Sequence, residues 1–278
     1  MYWRALLLTI LAAGQLRPMN GQQRDGSEGL SIEYKLVSTN VSLHEPILMR
    51  VMIFNHLNSA TRINLGQDRR QAFELSIDKP DGKTVLSNLP LHEGASRSWV
   101  VGIEPGDTYM ETLVLNEWYP FAEVGTYQIR VRLIRVPGAQ QELPAGFASW
   151  AVLPRVDVLP RDAARLSAVC EELKAKLETS NSYDEVTDAA VELSYLDDPV
   201  AVPYLQAMAV FKSGAFSGLA AQGLERVGGE AAANALIALT KDPNLEVSST
   251  ARFWLSQLGQ ATKDPSLRGR ISEALEQQ

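Results

Sequence analysis

The last third of the chain contains an internal repeat with a period of 31 residues. Small and aliphatic residues recur at equivalent places in Ala189, Ala220 and Ala251, and in Leu193, Leu224 and Leu255. A fixed period of this size is typical of stacked helix pairs. One pair is too small to bury its own apolar face, so it packs on its neighbour and the array acquires an extended surface. The repeat therefore predicts a helical array that binds another molecule.

Three motifs in this region resemble HEAT repeats of the short phycobilisome-lyase type. They are Asp197–Leu205, Gly223–Gly228 and Asp242–Val247, within a match that covers residues 184–276. The resemblance implies an armadillo-like helical solenoid that binds protein, and it does not imply bilin chemistry. Ser217 and Ser248 stand where such repeats usually carry arginine. A ladder of charges between the repeats is therefore not expected.

The first 14 residues have the pattern of an export signal. Arg4 precedes the apolar run Ala5–Ala13, and small residues near its end suit signal peptidase. The run is about half of the roughly 18 apolar residues that a membrane span needs, and no cysteine follows it as in a bacterial lipoprotein. We predict a cleaved signal peptide at 1–14, a disordered lead-in at 15–29, and a periplasmic or secreted protein.

Composition limits the partners. The net charge is −7, and 11 basic and 17 acidic residues follow Pro160, so the field of the chain repels nucleic acid and anionic lipid. A solvated acidic face explains this imbalance, and an acidic groove for a basic partner is the alternative. Cys170 is the only cysteine, which excludes an internal disulfide. It falls on the apolar stripe of a predicted helix, where we expect a buried, unreactive thiol.

From Leu30 to Leu159 the side chains follow a period of two. The runs include Ile32-Tyr34-Leu36, Leu48-Arg50-Met52, Phe73-Leu75-Ile77 and Tyr127-Ile129-Val131-Leu133. About eight or nine such strands with turn residues between them predict an antiparallel immunoglobulin-like β-sandwich at 30–159. Tyr127 occupies the place where such sandwiches keep a structural tyrosine. After Pro160 the period becomes helical, which predicts a second, helical domain at 160–278.

The β region also resembles bacterial intracellular-proteinase-inhibitor-type domains. The matching motifs are Ile53–Asn55, Ile63–Leu65, Phe73–Leu75, Asp81–Gly82, Glu104–Gly106 and Gly125–Tyr127. These are turn and core positions, so the resemblance implies a fold more directly than it implies inhibition.

The sequence contains no recognisable catalytic constellation. His44, His56 and His92 lie in separate segments without a second ligand at metal-binding spacing. Ser217 sits between glycines but belongs to the helical repeat, and not to the strand-to-helix turn of a nucleophile elbow. Aspartates beside proline or glycine are placed to cap turns and helices. We therefore predict no catalytic residue, no cofactor and no metal.

The predicted binding surface comes from a helical wheel of about 100° per residue. One face of each repeat's second helix points away from the buried alanines and leucines, towards the concave side of a HEAT-like stack. The residues on it are Asp188, Val191, Tyr195, Leu219, Gln222, Arg226, Thr250, Phe253 and Gln257. Aromatic residues and arginine are enriched at binding hot spots. The alternative is that Phe253 and Trp254 pack on the terminal helix or on the sandwich.

These observations predict a non-catalytic exported adaptor or scaffold that binds a protein partner through its helical surface. Binding of nucleic acid and stable membrane insertion are not expected. A protease-inhibitor-like regulator acting through the sandwich loops is one alternative. An accessory domain of an extracellular enzyme system is another.

Overall fold

A computed structural model describes residues 29–65, 72–87, 100–134 and 147–276. The predicted signal peptide, the lead-in up to position 28 and His92 lie outside these ranges. Within them the chain forms a β-sheet region followed by seven α-helices. The last strand ends at Leu159 and the first helix begins at Ala163, close to the change of period.

The β region has eleven strands in the described ranges. They are β1 (Leu30–Leu36), β2 (Asn40–Ser42), β3 (Leu48–Asn55), β4 (Thr61–Asn64), β5 (Phe73–Asp78), β6 (Thr84–Leu86), β7 (Val100–Ile103), β8 (Thr108–Val114), β9 (Gly125–Leu133), β10 (Ala151–Val152) and β11 (Val156–Leu159). One sheet has the order β1-β3-β8, and a second has the order β2-β11-β9-β5-β6 with β10 also paired to β9. Strands β4 and β7 pair separately. The described pairs are antiparallel except β2 with β11.

The sheets share one buried cluster. Met49 and Val51 from β3 belong to the same cluster as Leu75 from β5 and Ile129 from β9. Tyr127 is fully buried at the start of β9. Its hydroxyl donates to the Glu123 carbonyl at 2.9 Å and accepts from the Glu123 amide at 3.2 Å. These bonds tie the strand to the preceding corner and confirm a structural role for Tyr127.

The buried face of β3 is the opposite of the face that the sequence pattern indicated. The alternation Leu48-Arg50-Met52 lies on the outer face, while Met49, Val51 and Ile53 are fully buried. Both sets are rich in apolar residues because part of the outer face is covered by helices. A strand covered on both faces loses the alternation that identifies its core side.

Several of the helices begin at capping side chains that accept hydrogen bonds from their first amides. The helices are α1 (Ala163–Thr179), α2 (Tyr183–Ser194), α3 (Val202–Val210), α4 (Ser217–Val227), α5 (Gly229–Leu239), α6 (Leu245–Ala261) and α7 (Pro265–Glu276). Asp162, Ser182 and Asn244 cap α1, α2 and α6 with side-chain oxygens. Such caps each contribute about 1 kcal/mol to helix stability.

The helices pack in two rows. Helices α2, α4 and α6 contact one another in succession, and α3, α5 and α7 do the same beside them. The repeated alanines and leucines that the 31-residue period relates are buried between the rows. Gly223 marks a close approach, because a Cβ there would lie 2.8 Å from Leu205 Cδ2 and 3.0 Å from the Ser194 carbonyl oxygen.

Two arginines at the junction fix the start of the helical region. Arg165 donates to both carboxylate oxygens of Glu45, at 2.6 and 2.9 Å, and to the Asn40 carbonyl at 2.7 Å. Arg161 donates to both oxygens of Asp198, whose side chain is 1% exposed. This hydrogen-bonded pair holds the pKa of Asp198 below its usual value. The first helix and the turn before β3 are thus joined by charge-assisted bonds, which are stronger than neutral ones.

Candidate binding surface

The nine predicted site residues lie at equivalent positions of one row of helices. Asp188 and Val191 are on α2, and the 31-residue shift carries them to α4 and then to α6. Tyr195 is the residue that caps the C-terminus of α2. Phe253 is exposed, and the other eight residues are partly buried. Leu219 packs against the helical core, so this position contributes to stability as well as to the surface.

Tyr195 and Arg226 are brought together from neighbouring repeats. The guanidinium carbon of Arg226 lies 3.8 Å from the centre of the Tyr195 ring, a cation–π contact. Arg226 Nη1 also donates to the Ser194 carbonyl at 2.8 Å, close to the end of α2. The negative end of the helix dipole favours a cation there. The two contacts hold Arg226 in one orientation across the face.

Phe253 lies one helix further along the same row. Its side chain is 56% exposed, and its ring meets that of Trp254 edge to face, with centroids 5.2 Å apart. Trp254 packs against the helical core. The partly buried Trp254 thus supports the exposed ring of Phe253. Aromatic side chains are enriched at the hot spots of protein interfaces.

Glu192 lies beside Val191 on α2 and was not among the site residues predicted from the sequence. Burial raises the pKa of its carboxyl to about 7, with Asp188 and Glu172 adding to the effect and Lys176 opposing it. Burial also raises the pKa of Glu225, the neighbour of Arg226. The covering of Glu192 involves strands that are more than 70 residues away in sequence. Helical periodicity carries no signal for such long-range packing.

Two side chains of the helical region that could act as nucleophiles, Cys170 and Ser217, are buried. Cys170 is fully buried, and burial raises the pKa of its thiol to about 12, which keeps the thiol protonated at neutral pH. Ser217 is buried in the first turn of α4. Across the described ranges, no three or more histidine, cysteine, aspartate or glutamate side chains are grouped so that they could hold a metal ion. In the same ranges, no helix has the length and apolar character needed to cross a membrane.

Known proteins resemble this chain only weakly. No family model and no curated protein matches the chain. A β-glucosidase from Listeria innocua is 13% identical over 51% of this chain, with a TM-score of 0.28. The CARDB domain of the PF1109 protein from Pyrococcus furiosus is 16% identical over 47% of this chain and 86% of its own, with a TM-score of 0.24. The Pseudomonas fluorescens DNA glycosylase AlkC is 9% identical over 49% of this chain and 31% of its own, with a TM-score of 0.27.

The chain spans 17% of the length of that β-glucosidase. Structural similarities at these TM-scores are too weak to indicate a shared fold or activity.

Proposed function

We propose that this chain is a non-catalytic exported adaptor that binds a protein partner. In this proposal an immunoglobulin-like sandwich precedes a short HEAT-like solenoid, and the partner docks on the outer face of α2, α4 and α6. The observation that carries the proposal is the exposed ring of Phe253 in the same row as the stacked pair Tyr195 and Arg226.

The energetics of binding favour this face over an ordinary solvated one. A few aromatic and arginine side chains supply most of the binding energy in protein interfaces. Ordering such side chains costs roughly 0.5–1.5 kcal/mol each when they are mobile. Arg226 is already held by the Tyr195 ring and the Ser194 carbonyl, and Phe253 rests on Trp254. The face can therefore bind without losing much side-chain freedom.

Two structural observations support the proposed fold. Equivalent positions of the 31-residue repeat are buried between two rows of helices, as in a solenoid in which each repeat contacts its neighbours. In the β region, the hydrogen bonds of Tyr127 to Glu123 match the tyrosine corner of immunoglobulin-like sandwiches. Export rests on the residue pattern of positions 1–14. Mass measurement on protein from its native host should place the mature N-terminus near Gln15.

The test is partner capture with matched variants of the full mature chain. Wild type, Phe253→Ala and Leu245→Ala serve as baits in the exported fraction of the native host. Leu245 is a suitable control, because it is an apolar residue of the same helix and is 79% exposed. We expect a partner to be retained by wild type and Leu245→Ala and lost by about 10-fold or more with Phe253→Ala, the size of one hot-spot residue.

Equal capture by all three baits would contradict the proposed face. Thermal unfolding of each bait distinguishes lost contact from lost fold, since truncation of an exposed side chain should change stability by less than about 0.5 kcal/mol. Sub-micromolar inhibition of a protease by wild type and by Phe253→Ala alike would favour the inhibitor alternative instead.

A further inference from the structure

A cleft of about 250 Å³ lies where the β region meets the helices. One wall is the outer face of β3 with the turn before it, and the other wall is α1, with α2 contributing Glu192. Val37 and Leu48 on the first wall and Val169 and Leu173 on the second provide apolar surface. Ligand sites occur preferentially at such junctions, with mostly apolar walls and a few polar groups. The volume is just below the range for drug-sized ligands, about 300–1,000 Å³, which favours a smaller molecule.

Most charged side chains of the cleft already have partners. Glu45 accepts both hydrogen bonds from Arg165, and Glu172 forms an ion pair with Lys176 at 2.7 Å. The charged wall residues that remain are Arg50 and Glu192. Neither side chain makes a hydrogen bond or an ion pair with other described residues. Among the described residues, the cleft thus presents one cation and one anion that have no hydrogen-bonded partner, and Lys176 attracts Glu192 only electrostatically.

The two unpaired groups differ in their exposure to water. Arg50 is exposed on β3, while Glu192 is partly buried on α2. Burial disfavours the ionised carboxylate and raises the pKa of Glu192 to about 7. A cation that enters the cleft interacts more strongly with a partly buried carboxylate than with an exposed one, because water and salt screen the buried pair less.

We propose that this cleft binds a small zwitterion of the amino-acid class with an apolar side chain. Its carboxylate bonds the guanidinium of Arg50, its ammonium group bonds the carboxylate of Glu192, and its side chain contacts Leu48 and Leu173. A ligand with both charges pairs both groups, whereas a simple amine or a simple carboxylate leaves one of them unpaired. This site adjoins the proposed protein-binding face, because the charge of Asp188 acts on Glu192, but ligand binding in the cleft does not depend on that face.

Calorimetric titration of the full mature chain at pH 8 tests the proposal with defined probes. L-leucine should bind with a Kd of about 1 mM or tighter. N-acetylleucine lacks the ammonium group, and isopentylamine lacks the carboxylate but stays protonated at pH 8, so each should bind at least about 10-fold more weakly, as expected for one lost charge-assisted bond. Leucylleucine distinguishes the source of the zwitterion, because tighter binding than leucine assigns a short peptide and weaker binding assigns a free amino acid.

Matched variants locate the bound probe. Arg50→Gln and Glu192→Gln should each weaken leucine binding by about 10-fold or more, because each removes one charged partner. Lys83→Gln is the control, since Lys83 is a 79% exposed cation in the turn between β5 and β6 and does not line the cleft. No binding of leucine or leucylleucine to wild type at about 10 mM would overturn the proposal. Binding that is unchanged in both cleft variants would also overturn it. The analogue series on wild type remains decisive if a variant folds poorly.

Discussion

The two regions of this molecule fill their cores with different side chains. The two bulkiest fully buried side chains of the described residues, those of Tyr127 and Phe73, lie in the β region. The helical core instead contains many alanines, including Ala189 and Ala220. Packed sheets lie about 10 Å apart and need long side chains to fill the space, whereas small side chains let helices approach closely. The β region should therefore be sensitive to lost volume, and the helical region to added volume.

The largest expected effect tests lost volume in the β region. Phe73→Ala should lower the free energy of unfolding by about 3–5 kcal/mol, because it removes a buried ring from the shared core. The same substitution at the exposed Phe253 should cost less than about 0.5 kcal/mol. Urea unfolding of both variants makes the comparison. Similar losses at the two positions would contradict the burial of Phe73 and the exposure of Phe253.

A smaller effect tests added volume in the helical region. Gly223→Ala should destabilise by about 1–3 kcal/mol, because the new Cβ meets Leu205 and the backbone of Ser194. Gly218→Ala in the same helix is the matched control, since a Cβ there meets nothing within 4 Å. Helix propensity favours alanine at both positions by up to about 1 kcal/mol. Stabilisation by both variants would show that the rows of helices tolerate extra volume.

The smallest effect concerns Glu192, which belongs to neither core. Its pKa is raised to about 7, so the native state holds a proton that the unfolded chain releases near pH 4.5. The stability contributed by this group is therefore present at pH 4.5 and is lost as the pH rises to 7. Glu192→Gln removes the titrating group and should be about 1 kcal/mol more stable than wild type at pH 8, because the partial exposure of Glu192 reduces the effect of burial, with little difference at pH 5.

Urea unfolding at both pH values measures this difference. Glu178→Gln is the control, because Glu178 is an exposed carboxylate on α1. An equal change at pH 5 and pH 8 would contradict a buried, titrating Glu192.

Local periodicity predicts much of this architecture because the spacing of apolar residues follows the geometry of each strand or helix. The change from period two to a helical period locates the end of β11 and the start of α1 to within a few residues. The 31-residue shift likewise pairs Tyr195 with Arg226, and the structure stacks them. Both results concern elements that lie close together in the sequence, for which residue spacing determines where the side chains lie.

Contacts between distant segments could not be predicted in this way. The outer side of β3 is apolar because α1 covers part of it, so its alternation does not show which face is buried. Arg165 meets Glu45 across 120 residues, and no spacing rule relates them. Glu192 is likewise covered by residues that are distant in the sequence. The junction between the regions is thus the part of the molecule that single-sequence patterns describe least.

The parallel pairing of β2 with β11 also has a mechanical consequence. Asp157, Val158 and Leu159 lie beside Asn40, Val41 and Ser42, and β11 continues almost directly into α1. Tension between a partner held by the helices and the segment before β2 would pull these strands in opposite directions along their length. Their hydrogen bonds would then bear the load together in shear, and would not open one at a time. The attachment of the helices to the sheet is therefore built to resist pulling.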